Sequence, residues 1–531
     1  MSAANLPLAE LIAALARADA YPEPTSRVET IQTHISVVFL TDRFAYKLKK
    51  PVRFDFLDFS TRELREAACR EELRLNRRLA GDVYLDVVPV AREADGRLAI
   101  GGAGETVDWL VKMRRLDESQ TLLSAVERNS FRSGNGMNSV LLERLAQLLA
   151  EFYRHQPPQT NSPDSYRAEV ESHVRGNLAE LVRPEHQLDV HQVKRIHNAQ
   201  LEQLLLRPAL FDARVNAGRV IDGHGDLRPE HIYLTDPPVV IDCIEFNAEF
   251  RRLDVLDELC FLESECAELG DESVGKSVRR RCLELLGDAP PESLAAFYKS
   301  YRACVRAKVA ALRARQQQGP DREASLKLAR DYLHLADRFD QRLSPPLVIL
   351  VRGVSGTGKS TLAAALAQLF AAEHLQTDEL RAEMAAEGQL PTGSSDAKYS
   401  QASRERVYDV MFERAGLLLA NRSSIILDGT FLAATRRQQA LELATHYGAI
   451  FQAFRCICPV DIAAGRVSRR RAAGTSSSEA FPELIARQRA ADEPDLAGLA
   501  SVDVDTSRPV EELVPSCAQV LQMTCEAVRG S

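Results

Sequence analysis

Apolar and polar positions alternate or recur in blocks that change character along the chain. From Leu6 to Ala18 they recur at helical spacing with Glu10 inside, which predicts an amphipathic helix over residues 5–20. Ile35–Leu40 is a β-rich run, Thr41-Asp42-Arg43 a turn, and Phe44-Ala45-Tyr46-Lys47-Leu48-Lys49 a second strand, which together predict a hairpin. Period-two alternation puts Lys47 and Lys49 on one face. Thr61–Ala80 is charged and helical, with Glu66, Glu71 and Glu72 inside it, and Tyr84–Val90 and Thr106–Met113 are further strands. Tyr301–Gln318 is a helix rich in Arg and Ala. A helical pattern from Arg322 to Leu343 stops at Ser344-Pro345-Pro346, because two prolines cannot continue a helix. The apolar run Val348-Ile349-Leu350-Val351 follows directly and is short enough for a buried parallel strand. The domain boundary is therefore expected at 344–346, with no long linker and no internal repeat.

Composition narrows the class. A chain of 531 residues exceeds one core, so about two to four domains are expected. Hydrophobic content of 45% and charged content of 27% are those of globular protein, and the net charge of −8 argues against a general nucleic-acid binder. No apolar run approaches the length of a membrane span. The N-terminal segment lacks a basic n-region and a clean apolar h-region, so no signal peptide is expected. The ten cysteines are scattered; Cys456 and Cys458 are close, but no second pair completes a metal site. Buried free thiols in a reducing cytoplasm are expected.

The most specific chemistry is Gly353-Val354-Ser355-Gly356-Thr357-Gly358-Lys359-Ser360, which fits G-x-x-x-x-G-K-[ST]. A strand precedes it, and Thr361–Ala367 reads as the helix that follows. In that context the glycines let backbone N–H groups turn around phosphate oxygens, and the helix N-terminus adds partial positive charge. Lys359 is expected on the β- and γ-phosphates of ATP, and the Ser360 hydroxyl on Mg²⁺. Ser424–Thr430 is an apolar strand ending in Asp428, a Walker-B-like acid for water-mediated Mg²⁺ contact. Gly429 follows where motor ATPases place a Glu that activates water, which favours a kinase.

The first half has its own chemistry. Val220–Leu234 contains His224-Gly225-Asp226-Leu227-Arg228-Pro229-Glu230-His231. The protein-kinase catalytic loop is H-R-D-x-x-x-x-N, and the spacing matches, with His231 in place of Asn. Val239-Val240-Ile241-Asp242 is an apolar strand ending where kinases place the Asp that holds Mg²⁺, with no glycine after it.

On Thr33-His34-Ile35-Ser36, Tyr46-Lys47-Leu48-Lys49, Leu75-Asn76-Arg77-Arg78 and His224-Gly225-Asp226, about residues 30–340 resemble the aminoglycoside phosphotransferase group of the protein-kinase-like fold. The whole chain resembles a bacterial two-part protein that joins such a domain to a P-loop kinase-like domain. The resemblance implies that Asp226 is the base orienting an acceptor hydroxyl. It implies that Asp242 holds Mg²⁺ with His231 in the second metal-side position, although Mg²⁺ prefers oxygen to imidazole. It puts Lys47 on the α/β-phosphates, paired with a helix glutamate, Glu72; Lys49 is a rival for Lys47, and a surface ion pair is the other reading of Glu72. Arg228 stands where many kinases have a Lys near the transferred phosphate. No G-x-G-x-x-G precedes Lys47, so the cover over the phosphates is built differently, with Thr33-His34 as a candidate. Asp254 and Asp257 brace the catalytic loop or open a helix. Glu263–Glu272 reads as a solvated face ahead of an attractor for a cationic substrate, and Arg302 and Arg306, which share a face, read as solvated ahead of an anion site.

The second half resembles small P-loop kinases of gluconate-kinase-like, polynucleotide-kinase-like and zeta-toxin-like kinds. In several of these an Asp at the place of Asp378 faces the acceptor hydroxyl and an Arg at the place of Arg381 contacts substrate; a helix cap with an ion pair is the other reading. The resemblance makes Arg466, Arg469, Arg470 and Arg471 a lid over the phosphates, with Arg470 the candidate for transition-state charge, and Ser476–Ala480 the loop after it. Val502–Thr506 reads as a final edge strand.

The fold class expected is α/β and α+β. A bilobal protein-kinase-like domain spans 1–343 (N-lobe about 1–116, C-lobe about 117–343), and a P-loop NTPase domain with a parallel sheet flanked by helices spans 347–531. The function expected is ATP- and Mg²⁺-dependent phosphoryl transfer to a small-molecule hydroxyl at two kinase-like sites. Two alternatives stand beside it: an ATP-binding regulatory protein with a non-catalytic first half, and 5′-OH polynucleotide kinase activity in the second half. No protein partner is inferred.

Overall fold

A computed structural model describes residues 6–54, 57–131, 136–159, 162–340, 343, 345–390, 400–473 and 482–530. They form two compact units, Met1–Ser165 with Ala213–Ala303, and Tyr166–Asp212 with Cys304–Ser531.

The first unit holds a six-stranded antiparallel sheet in the order Glu29–Gln32, Ser36–Leu40, Phe44–Lys49, Glu105–Arg114, Tyr84–Arg92, Leu98–Ile100. Alternation along Phe44–Lys49 decides its packing. Tyr46 and Leu48 face one core with Leu11, Leu15 and Phe39. Ala45 faces the other, with Cys69, Val87 and Val111. Lys47 and Lys49 share the Ala45 face, so they point at the helix Arg62–Ala80 that supplies Cys69. Thr61 starts that helix by accepting the Leu64 N–H at 3.3 Å.

The rest of this unit is largely helical. Strand Val220–Asp222 pairs antiparallel with Arg252–Asp254, and Ile232–Tyr233 pairs with Val239–Val240, so the loop from Gly223 to His231 is held at both ends. Asp254 caps the helix Val255–Glu268 through the Leu256 N–H at 2.9 Å and is bound by Arg214 at 2.8 Å. Asp257 takes both arms of Arg302, each at 2.7 Å. The solvated face expected for Glu263–Glu272 is corrected here. Glu263 is fully buried between Arg279 Nε at 2.5 Å and Lys299 Nζ at 2.9 Å. An acidic helix face is compatible with burial when cations arrive from other helices, and a one-dimensional pattern does not show those cations. For the same reason Arg302 is buried rather than solvated.

The second unit is built on a five-stranded parallel sheet, in the order Glu373–Gln376, Ile425–Gly429, Leu347–Arg352, Ile450–Ile457, Ser501–Asp505. Both faces are covered, which is why the central strands read as continuous apolar runs. Ile349 and Val351 pack on Leu362, Leu366 and Phe370 of the helix Lys359–Phe370, and on Leu513 and Leu521 of the helix Val510–Gly530. Val348 and Leu350 pack on the other side with Leu380, Met411 and Ala440. Ser501–Asp505 is the expected edge strand.

Residues 344–346, where the boundary was expected, fall inside this unit; Ser344 lies outside the described residues. The helices Val190–Leu206 and Gly319–Asp340 belong to the P-loop sheet's unit, joined to each other by Arg195 and Asp337 at 3.0 Å. They also finish the C-terminus of the Lys359–Phe370 helix. Arg175 donates to the Gln368 carbonyl at 3.2 Å and to that of Leu369 at 2.7 Å, and Asn198 donates to Phe370 O at 2.7 Å. Helix-end carbonyls need such partners, and proline punctuation carries no sign of them.

Candidate functional sites

In the first unit the expected residues come together. Lys47 Nζ lies 2.9 Å from Glu72 Oε1 and 2.6 Å from Asp242 Oδ1. Glu72 is fully buried, and its Oε2 takes Lys49 at 2.7 Å. Burial works to raise the Glu72 carboxyl, but the two ammonium groups hold it below the usual range. Partial burial opposes ionisation of Asp242, and the Lys47 ammonium, followed by His231, outweighs it and holds the acid well below normal. Asp242 sits at φ 65°, left-handed for a residue with a Cβ. Three contacts hold it there: its N–H donates to Tyr84 Oη at 3.2 Å, the next N–H to Asn76 Oδ1 at 2.9 Å, and Lys49 ion-pairs with Glu245 three residues on.

His231 stands between the two aspartates. Its Nδ1 is 2.9 Å from the Asp226 carbonyl oxygen, which can only accept, so Nδ1 donates. Its Nε2 faces Asp242 Oδ2 at 3.6 Å, and its Nδ1 is 3.6 Å from Asp226 Oδ2. The loop that carries Asp226 is fixed from below. Glu258 accepts the N–H groups of His224 at 2.8 Å and Gly225 at 2.6 Å. His224 is buried and bonded to Ile241 O at 2.9 Å, and burial lowers its pKa to about 4, so it is neutral. Gly225 has φ 86°, and a Cβ there would lie 3.0 Å from Phe250 O. Arg78 donates to the carbonyls of Asp222 at 3.1 Å and Gly223 at 3.0 Å. Arg228 is ringed by carboxylates: Asp226 at 3.6 Å, Glu265 at 3.3 Å, and Glu230. In the turn expected to cover phosphates, Thr33 and Ser36 hydroxyls meet at 2.9 Å, Lys50 donates to Thr33 O at 2.6 Å, and His34 is exposed.

In the second unit the glycine loop is shaped by its neighbours. Gly353, Gly356 and Gly358 have φ of 147°, 84° and 81°. A Cβ on Gly356 would lie 2.4 Å from Ala463 O, so only glycine fits. Thr357 is tied down by its own hydroxyl to Val354 O at 2.9 Å and by Thr506 Oγ1, which donates to its carbonyl at 2.5 Å. Lys359 and Ser360 open the helix and are half-buried, Thr361 is exposed, and Ser360 Oγ takes Gln376 Nε2 at 3.2 Å. Strand register sets Val351 opposite Asp428. Asp428 is fully buried; its Oδ2 is 3.3 Å from His374 Nε2, and its Oδ1 has no partner among the described residues. An unpartnered buried carboxylate oxygen beside a phosphate cradle fits a divalent cation. Among the described residues no set of three or more His, Cys, Asp or Glu holds a metal ion by itself, so such a cation would need phosphate and water oxygens as well.

Gly429 leaves no room for a larger residue: a Cβ would lie 2.9 Å from Thr377 Cγ2 and 3.0 Å from the Phe431 ring. Thr377 opens the helix that carries Asp378, which takes Arg381 Nη1 at 2.6 Å. The Tyr408 hydroxyl, raised by burial, lies within the field of both, 3.3 Å from Thr430 Oγ1. Of the four candidate lid arginines, Arg466 meets the loop: its Nη2 donates to Thr506 O at 2.7 Å, and a Cβ on Gly358 would lie 3.2 Å from its Nη1. Arg470 is exposed one turn further along the helix Val460–Ala473. The Arg471 side chain and Ser476–Ala480 lie outside the described residues.

Pattern reading passed over Asn76, Arg78, Tyr84, Glu245 and Thr506. Asn76 and Arg78 lie in a quoted stretch but carried no role there. The others make contacts across long sequence separations, for which one chain gives no signal.

A family model described as AAA domain matches residues 348–494. Uncharacterized protein Rv2004c of Mycobacterium tuberculosis is 36% identical over 486 residues, 88% of this chain and 92% of its own. An uncharacterized protein of Mycobacterium bovis matches with the same identity and coverage. The chain belongs to their family. Among solved structures, a gluconokinase from Sinorhizobium meliloti is 20% identical with a TM-score of 0.26, covering 35% of this chain and 96% of its own. Residues 348–494 of this family member, which hold the P-loop, match an AAA domain. Among the described residues no helix is long and apolar enough to cross a membrane.

Proposed function

We propose that the chain is an ATP-dependent phosphotransferase with a nucleotide site in each unit, each passing the γ-phosphoryl group to a small-molecule hydroxyl in the cytoplasm. The observation that carries this reading is the P-loop set beside a buried Asp428 whose Oδ1 has no partner among the described residues. Mg²⁺ held there with Ser360 would draw charge from the phosphate oxygens. Lys359 and Arg466 add positive charge at the same loop, where charge builds up during transfer. Asp378, at the mouth of the strand that supplies Gln376, orients the acceptor hydroxyl, with Arg381 holding it in place.

The first unit supports the same chemistry with different parts. Lys47, fixed by Glu72, is the phosphate contact, and Asp242 is the cation-side acid. Asp226 is the base that takes up the acceptor proton. Arg228 is bound to three carboxylates and therefore acts on Asp226 rather than as a free phosphate clamp.

The test is a γ-phosphate transfer screen of the full chain against sugars, nucleosides, aminoglycosides and 5′-OH oligonucleotides. Lys359→Ala should abolish one set of products. In that background Asp226→Asn should lower the remaining transfer by about 10²–10⁴, with nucleotide binding retained. A double variant that transfers as fast as the unaltered chain defeats the proposal. Products on 5′-OH oligonucleotides alone would assign the second unit to nucleic-acid ends.

A further inference from the structure

The Ser355 N–H, in the first half of the P-loop, donates to Gln488 Oε1 at 2.7 Å across 133 residues of sequence. Gln488 belongs to the helix Pro482–Ala490, which is anchored on both sides of it. Ile485 is buried with Val354, Ala463 and Val467, and Arg489 donates to Cys458 O at 2.8 Å. Just beyond the helix the chain is clamped. Arg437, fully buried, donates to the carbonyls of Glu493 at 2.7 Å and Pro494 at 2.9 Å. Arg352, the last residue of the strand that enters the loop, reaches Asp492 at 2.8 Å. The position of Gln488 is thus tied to the strand end from which the loop departs.

Amide chemistry then sets the direction of the side chain. With Oε1 committed to Ser355, its polar remainder is the Nε2 amide, two N–H donors with no hydrogen bond among the described residues. P-loop N–H groups exist to bind phosphate oxygens. Gln488 takes up one of them and offers two donors in its place. Gly353, two residues before Ser355, donates its N–H to the Thr430 carbonyl at 3.4 Å, so this half of the loop leaves its strand beside the strand that carries Asp428. A cation held by Asp428 would supply its charge on that side of the loop.

We propose that Gln488 is a triphosphate-recognition residue: it holds the first half of the P-loop through Ser355 and directs its Nε2 amide at the terminal phosphoryl group of a bound nucleoside triphosphate. The inference rests on the nucleotide-binding reading of the P-loop. It is tested by calorimetric titration of the full chain, in an Asp242→Asn background that silences the first unit, with ATP·Mg²⁺ and ADP·Mg²⁺. Gln488→Ala should weaken ATP about tenfold or more, and ADP much less, as loss of a hydrogen bond to a charged group requires. Gln488→Glu keeps the oxygen that accepts Ser355 but replaces the donor with negative charge. It should bind ATP poorly at pH 8 and recover toward pH 5, because a protonated carboxyl offers one acceptor and one donor as the amide does. Equal affinities in Gln488→Ala, equal weakening of ATP and ADP, or a pH-independent Gln488→Glu each overturn the role of Gln488. ATP binding that survives Lys359→Ala in the same background overturns the nucleotide site itself.

Discussion

Lys49 Nζ lies 2.7 Å from Glu72 Oε2, on the carboxylate whose other oxygen takes Lys47 at 2.9 Å. Two lysines two residues apart thus share one buried acid, and their other partners separate their roles. Lys49 is 1% exposed and also binds Glu245, 5% exposed, so it is enclosed by the fold. Lys47 is 13% exposed and ends on Asp242, which is 42% exposed. Lys49→Met should leave two buried carboxylates short of a cation and cost about 3–5 kcal/mol. Lys47→Met should cost less stability and more phosphoryl transfer from the first unit. Thermal melts beside transfer rates in a Lys359→Ala background separate the two. A stable, inactive Lys49→Met with an active Lys47→Met would exchange the roles.

Much of this was legible where local pattern and chemistry coincide. Period-two alternation put Lys47 and Lys49 on one face, and G-x-x-x-x-G-K-[ST] located the loop, because both depend on neighbours in sequence. Glu72, Asp226 and Asp242 were found through resemblance, and the structure links Glu72 to Asp242 through Lys47 and Asp242 to Asp226 through His231. What was not legible depends on distant partners. Glu263 reads as solvated until Arg279 and Lys299 are seen against it. The prolines at 345 and 346 read as a boundary until Arg175 and Asn198 are found capping the P-loop helix. Arg466 and Arg470 are indistinguishable in sequence, and only the return of Thr506 to the loop separates them.

That separation makes a second prediction. Arg466 Nη1 is buried with no partner among the described residues, close to Gly358. Arg466→Ala should lower transfer by the second unit about 10²-fold or more, the scale of removing a donor from developing charge. Arg470→Ala, at an exposed position, should change it less than Arg466→Ala does. Rates measured at saturating ATP decide between them; a larger loss in Arg470→Ala would mean that the helix turns over the loop when nucleotide binds.

His231 gives a third. Its Nδ1 is committed to the Asp226 carbonyl, and its Nε2 faces Asp242 where an oxygen ligand would suit Mg²⁺ better. His231→Asn retains an N–H donor for that carbonyl and places an amide oxygen toward Asp242. The Mg²⁺ concentration giving half-maximal transfer by the first unit should fall several-fold. An unchanged or higher requirement would show that the imidazole serves the loop alone.

The last concerns Glu202, which is 3% exposed on the Val190–Leu206 helix and holds Asn198 at 3.1 Å, with a further hydrogen bond to the Ser424 side chain. Burial raises its carboxyl from 4.5 to about 7, against the effect of both hydrogen bonds. The sign follows from linkage. A pKa higher in the folded state means that the folded state binds the proton more tightly, so this contribution is full below about pH 4.5 and is lost as pH rises through about 7. The loss is on the order of 3 kcal/mol. Glu202→Gln keeps the shape and cannot ionise, so the variant should gain on the unaltered chain as pH rises from 5 to 8. The transition to follow is the one whose upward shift with ATP·Mg²⁺ is lost in Lys359→Ala, since that loss marks the unit that holds the P-loop. Asn198, bonded to both Glu202 and the Phe370 carbonyl at the end of the P-loop helix, should transmit the change, so the ATP-induced shift should also vary less with pH in the variant. Parallel curves for the two proteins across that range would show that Glu202 is ionised in the folded chain throughout, with its charge satisfied by Asn198 and Ser424 alone.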